Sequence, residues 1–197
     1  MRFTVRSAAP DDAPVIASLI NMSGQGVPLY SWTKAAGRHG DAMEIGSDRV
    51  RREHGNLSYR NVKVAEAGGK VVGMVLAYST PNAGHNDLTG VPDYLRPFVR
   101  LESKAAQSFY ISALAVMPEF RNKGMASRLL DIAEEDAAAL ACQRTTAILF
   151  APNLEARSLF KARGYEEMHT APIFEHESHP YENSKLILAV RELPSTE

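Results

Sequence analysis

The chain has 197 residues, a length that favours a single domain. Hydrophobic residues make up 45% and charged residues 23%, values that exclude the disordered, collagenous and disulfide-scaffold classes. Twenty-two Lys and Arg against twenty-three Asp and Glu leave a formal charge of -1, so no global field holds nucleic acid or an anionic membrane, and any anion must be gripped locally.

Arg2 to Arg6 alternates polar residues with Phe3 and Val5, the period of a half-buried strand. Asp11 is expected to cap a helix with apolar positions Val15, Ile16, Leu19 and Ile20 and with Pro14 in its first turn. From Met22 to Asn61 the pattern weakens, and only a short helix near Ser47 to Glu53 is predicted. Val62 to Ala67 and Val71 to Ser79 read as a hairpin around Gly68-Gly69. The long break from Thr80 to Gln107, with a short helix near Tyr94 to Leu101, has the length of a binding loop rather than a connection. Phe109 to Val116 is the clearest strand, ended by Met117-Pro118.

Met125 to Leu140 carries Leu129, Leu130, Ile132, Ala133, Ala137 and Leu140 on one helical stripe, with Asp131, Glu134, Glu135 and Asp136 on a solvated face. Thr145 to Phe150 is a further strand. Asn153 caps a helix through Arg163, and Gly164 ends it. Tyr165 to His169 and Lys185 to Val190 are the last two strands. The order gives a mixed sheet covered by helices. The lone Cys142 excludes an intrachain disulfide and an all-cysteine zinc site. No run approaches the roughly 20 apolar residues of a membrane span, and Met1 to Asp12 lacks a signal-peptide core. The expectation is a soluble, unexported protein of the reducing cytoplasm.

The stretch from Ala113 to Leu130 carries the chemistry. A buried strand ends at Pro118, and Arg121, Lys123 and Arg128 bring positive charge to the opening of a helix. Gly124 and Ala126 allow close backbone approach. The first N–H groups of that helix have no internal partner and suit phosphate oxygens. No G-x-x-x-x-G-K-[ST] occurs, and Gly24-x-Gly26 lacks the third glycine of a dinucleotide fingerprint.

The segment Arg121-Asn122-Lys123-Gly124-Met125-Ala126 resembles the [RQ]-x-x-G-x-[GA] phosphate motif of the GNAT superfamily of N-acetyltransferases. Asn153-x-x-Ala156, with Leu159, Phe160 and Gly164-Tyr165, resembles that family's second block, N-x-x-A-x-x-L-Y-x-x-x-G-[FY]. The resemblance covers about residues 109 to 170. It implies one α/β domain over residues 1 to 197, with a mixed, mostly antiparallel central sheet flanked by helices. It also implies acetyl-CoA as cosubstrate and no metal. The backbone of Leu114, Ala115 and Val116 would pair with the pantetheine arm, and the N–H groups from Asn122 through Lys123, Gly124, Met125 and Ala126 to Ser127 would hold the pyrophosphate beside Arg121. Asn153 would hydrogen-bond the arm as well as capping its helix. The acceptor would be a small-molecule amine or a protein amino group, with no nucleic acid or membrane partner. An exposed edge strand would allow a homodimer.

The reaction implied is direct transfer of acetyl from the thioester to an amine. The Val116 N–H is the expected oxyanion donor. The catalytic acid and base are unassigned, because the family's tyrosine position is Phe160 and a carboxylate position falls near Ile148. Hydroxyl and imidazole candidates are Tyr30, Tyr110, Ser112, Tyr165, His176, His179 and Tyr181. Pro28-Leu29-Tyr30-Ser31-Trp32, His85-Asn86-Asp87 and Tyr94 are candidate acceptor walls. Glu175-His176-Glu177-Ser178-His179 has the wrong spacing for H-E-x-x-H, so no metal is expected. The alternative function is a CoA or acyl-CoA sensor of the same fold, motivated by Phe160.

Overall fold

The computed structural model describes residues 2–80, 88–173, 177 and 184–194. Seven strands form one mixed sheet: β1 (Thr4–Ser7), β2 (Val62–Ala67), β3 (Lys70–Thr80), β4 (Ser108–Val116), β5 (Arg144–Phe150), β6 (Glu166–Pro172) and β7 (Lys185–Glu192), in the order β1-β2-β3-β4-β5-β7-β6. The β4–β5 pair is parallel, whereas β1–β2, β2–β3, β5–β7 and β6–β7 are antiparallel. The helices are α1 (Ala13–Ser23), α2 (Val27–Ala36), α3 (Ala42–Arg51), α4 (Arg96–Glu102), α5 (Met125–Ala139) and α6 (Leu154–Ala162). The sheet and its flanking helices match the fold class expected. Among the described residues no helix is long and apolar enough to cross a membrane.

The chain divides into two compact units, residues 1–77 with 113–133 and residues 78–112 with 134–197. In the first, α1 buries Ile16, Leu19 and Ile20 with Trp32, Val50, Val64, Met74 and Leu76 in one apolar cluster. The stretch from Met22 to Asn61 holds two helices where the sequence pattern predicts one short one. Helix α2 has only Val27 and Trp32 buried, too sparse a stripe to read. Helix α3 begins at Ala42, ahead of the predicted segment, because the Asp41 side chain accepts the N–H groups of Met43 and Glu44 and so caps it. At the start of α1 the N-cap position falls on Asp12 rather than Asp11, and the Asp12 side chain makes no cap bond to that helix. The Asp12 carboxylate accepts the Ala9 N–H at 2.8 Å, closing a short 3-10 turn over Pro10–Asp12.

In the second unit, β5 and β7 contribute Leu149, Phe150, Leu186, Ile187 and Leu188 to the core, and Phe98 of α4 meets the Phe150 ring edge-on at 5.9 Å. Two residues depart from the expected amphipathic pattern of α5. Leu140 is 61% exposed, because the helix ends at Ala139. Glu134 is not solvated: its carboxylate pairs with Arg191, lies 3.4 Å from Arg163 Nη2, and accepts the Tyr165 hydroxyl at 3.3 Å. Cys142 follows the helix, half-buried, with its N–H on the Ala137 carbonyl at 3.0 Å.

Candidate active site

Within the first unit, the end of β4 lies close against β3 because residue 73 is glycine. A Cβ there would stand 3.0 Å from the Ala115 carbonyl oxygen and 3.1 Å from Val116 Cγ2. Met117 donates its N–H to the Val72 carbonyl at 2.8 Å. Residues 115 and 117 therefore face β3, and by strand alternation Leu114 and Val116 present their polar backbone groups to the opposite edge. Two contacts agree with that assignment. The Leu114 N–H donates to Ser23 Oγ at 3.2 Å, and the Val116 carbonyl accepts from Arg121 Nε at 3.1 Å.

After β4 the chain turns through a 3-10 segment, Pro118–Phe120, before α5 begins at Met125. Asn122 and Gly124 both adopt left-handed backbone, at φ +58° and +77°, and such alternation turns successive N–H groups toward one hollow. Space around Gly124 is open: a Cβ at this position would meet nothing within 4 Å. Gly124 gives its carbonyl to the Arg128 N–H at 3.0 Å, the first bond of the helix. Among the described residues no acceptor stands against the N–H groups of Asn122, Lys123, Gly124, Met125, Ala126 and Ser127. The positive end of a 15-residue helix is thus lined by open donors. Two cations of the turn fold back on it. Lys123 Nζ donates to the Glu119 carbonyl at 2.8 Å, and Arg121 braces the end of β4. Such a place suits the oxygens of a phosphate or diphosphate.

In the second unit, Asn153 caps α6, its Oδ1 accepting the Ala156 N–H at 3.1 Å. Phe160 is buried and meets the Tyr165 ring edge-on at 4.8 Å. Tyr165 belongs to a closed network: its hydroxyl accepts from Thr145 at 2.8 Å and donates to Glu134. Burial raises its pKa far above the ordinary phenol value, with the Glu134 charge adding to the shift. Tyr110 is also buried against Tyr78, ring centroids 5.7 Å apart, and burial followed by the Glu102 charge holds its pKa well above that of a free phenol. Each of these phenols keeps its proton, and each is enclosed.

Trp32 is core rather than wall, at 2% exposure. Tyr30 is half-buried, with Lys34 Nζ 4.8 Å from its ring centroid. Tyr94 sits half-buried in a 3-10 turn, and Ser112 is half-buried on β4. His85, Asn86, Asp87, His176, His179 and Tyr181 lie outside the described residues. Among the described residues no cluster of three His, Cys, Asp or Glu suited to a metal ion occurs. Ser23 is the residue at this edge that sequence reasoning misses. It sits in no motif, and the nearest signal is the helix-ending Ser-Gly-Gln-Gly run.

A family model described as the acetyltransferase (GNAT) family matches residues 29–165. No curated protein matches the chain. Solved structures share the fold at low identity. An N-acetyltransferase from Staphylococcus aureus Mu50 is 18% identical with a TM-score of 0.68, over 95% of this chain and 100% of that one. A Drosophila melanogaster polyamine N-acetyltransferase is 16% identical with a TM-score of 0.67, over 98% and 100%. The NatC complex bound to Gag peptide and CoA gives 13% identity and a TM-score of 0.62, over 98% and 100%.

Proposed function

Because the chain belongs to the GNAT family of acetyltransferases, we propose that it moves an acetyl group from acetyl-CoA to an amine by direct transfer. The observation that carries this reading is the row of open N–H donors from Asn122 to Ser127 at the start of α5, around an unobstructed Gly124. Those donors suit the cofactor diphosphate, and Arg121 and Lys123 add positive charge beside them. The outward groups of Leu114 and Val116 would pair with the pantetheine arm as an added strand pairs with a sheet edge. Asn153 is proposed as a further contact to the arm. The reading takes residues 1 to 197 as one cytoplasmic acetyltransferase domain.

In the reaction, the neutral amine nitrogen attacks the thioester carbon and the C–S bond breaks. The amine proton is lost and the CoA thiolate gains one, so the products are an amide and free CoA. An alkyl amine of pKa near 10.4 costs roughly 4–5 kcal/mol to deprotonate at neutral pH. That cost falls on acceptor binding and on a base or water. The Val116 N–H, on the outward edge of β4, is the proposed donor to the developing oxyanion. Phe160 offers no proton to the sulfur, and the enclosed Tyr110 and Tyr165 are poor donors. Among the structural neighbours, one is a polyamine acetyltransferase and another is bound to a peptide. Small amines and protein amino groups are accordingly the acceptor classes to try.

Calorimetry with acetyl-CoA and CoA, followed by thiol release across a panel of amines and peptides, tests the proposal. Binding with thiol release that depends on one acceptor supports it. Binding without release across the panel replaces it with an acyl-CoA sensor, and absence of binding removes both.

A further inference from the structure

Ser23 closes α1 and turns its hydroxyl onto β4. Its Oγ accepts the Leu114 N–H at 3.2 Å, and among the described residues nothing takes the hydroxyl proton in return. Two residues along the same edge, the Val116 carbonyl is held by Arg121 Nε at 3.1 Å. Arg121 Nη2 also rests 3.7 Å from the sulfur of Met22, the neighbour of Ser23. An uncovered strand edge is a template for any extended chain. Here two of its polar groups are covered by side chains of the same unit. A molecule that adds along this edge must exchange those bonds for its own. For Ser23 the exchange needs only a change of rotamer about Cα–Cβ.

We propose that Ser23 is a further residue of the acyl-donor site, a placeholder whose hydroxyl occupies the Leu114 N–H until a carbonyl oxygen of the bound acyl-CoA takes it. The proposal rests on the cofactor reading above. It has an unusual sign. A side chain that only supported the fold, or only contacted the ligand, would weaken binding when removed. A placeholder competes with the ligand, so its removal strengthens binding. Without the hydroxyl, the Leu114 N–H in the free chain is left to water, and the ligand carbonyl has only water to displace rather than a protein acceptor held in place.

The test is calorimetry of acetyl-CoA with the wild-type chain and with Ser23→Ala, accompanied by 15N spectra that follow the Leu114 amide. We expect Ser23→Ala to bind about two- to tenfold more tightly, the span of one neutral hydrogen bond. The Leu114 amide should shift on saturation in both proteins. Ser23→Cys, close in size but a weak acceptor, should show the same tightening and serves if the alanine variant does not fold. Equal or weaker binding by folded variants overturns the placeholder and leaves the cofactor reading standing. Failure of the wild-type chain to bind acetyl-CoA overturns both.

Discussion

Arg6 reaches Asp12 through two bonds, at 2.7 and 3.0 Å, and Glu66 through one at 3.0 Å. That guanidinium, helped by the Ala9 N–H, holds the Asp12 carboxyl below its usual range against the opposing effect of burial. A depressed carboxyl pKa contributes stability above the unfolded value of about 3.9, and the contribution disappears as pH falls through the folded value. Arg6 is 40% exposed, so solvent screens the pair. We expect Arg6→Met to lower stability by about 0.5–1 kcal/mol near neutral pH. Urea titrations at falling pH should show the two proteins converging below the carboxylate range. At Gly124 the expectation concerns function. A Cβ at this position meets nothing within 4 Å, although the φ of +77° imposes strain of about 1–2 kcal/mol. Gly124→Glu should therefore remain folded by circular dichroism while losing acetyl-CoA binding in calorimetry, since a carboxylate would stand among the open N–H donors. Gly124 is legible in the sequence because a motif frames it. Ser23 is not, because its partner lies 91 residues away along the chain. Glu134 misleads for a similar reason: helical spacing assigns a face, but the cations Arg163 and Arg191 that draw it inward come from later elements.

Helices α2 and α3 show how an element escapes sequence reading. Their shared contact is Trp32 against Gly46, where a Cβ at residue 46 would lie 2.5 Å from the indole. The packing depends on an absent side chain, so the glycine that weakens the helical pattern is the residue that lets the two helices meet. We expect Gly46→Ala to destabilise by about 1–3 kcal/mol through overpacking, read as a lower urea midpoint with the slope unchanged. By contrast β4, β5 and α6 are legible almost to their ends. Continuous apolar runs, Pro118 and the Asn153 cap mark them locally, and no distant partner is needed to read them. At β6 the register shifts between Glu167 and His169 and leaves Met168 55% exposed, a bulge that alternation alone does not foretell.

Across the whole chain, a net charge of -1 leaves no general pull on polyanions, so affinity for a charged cofactor has to come from a local cluster, for which we propose the turn before α5. Binding there should stabilise the fold by mass action. At acetyl-CoA concentrations about a hundredfold above the dissociation constant the gain is about 2.7 kcal/mol, which a thermal melt with and without ligand measures. The same melt with an equal concentration of an unrelated polyanion should show no such gain. The general architecture follows from element order. The edge chemistry of β4 does not, because it depends on which backbone groups α1 and the basic turn cover. Cys142 brings a practical benefit at this scale. With one half-buried sulfhydryl per chain, any colorimetric reading of liberated coenzyme carries a background of at most one equivalent, and a serine at that position would bring the baseline to zero.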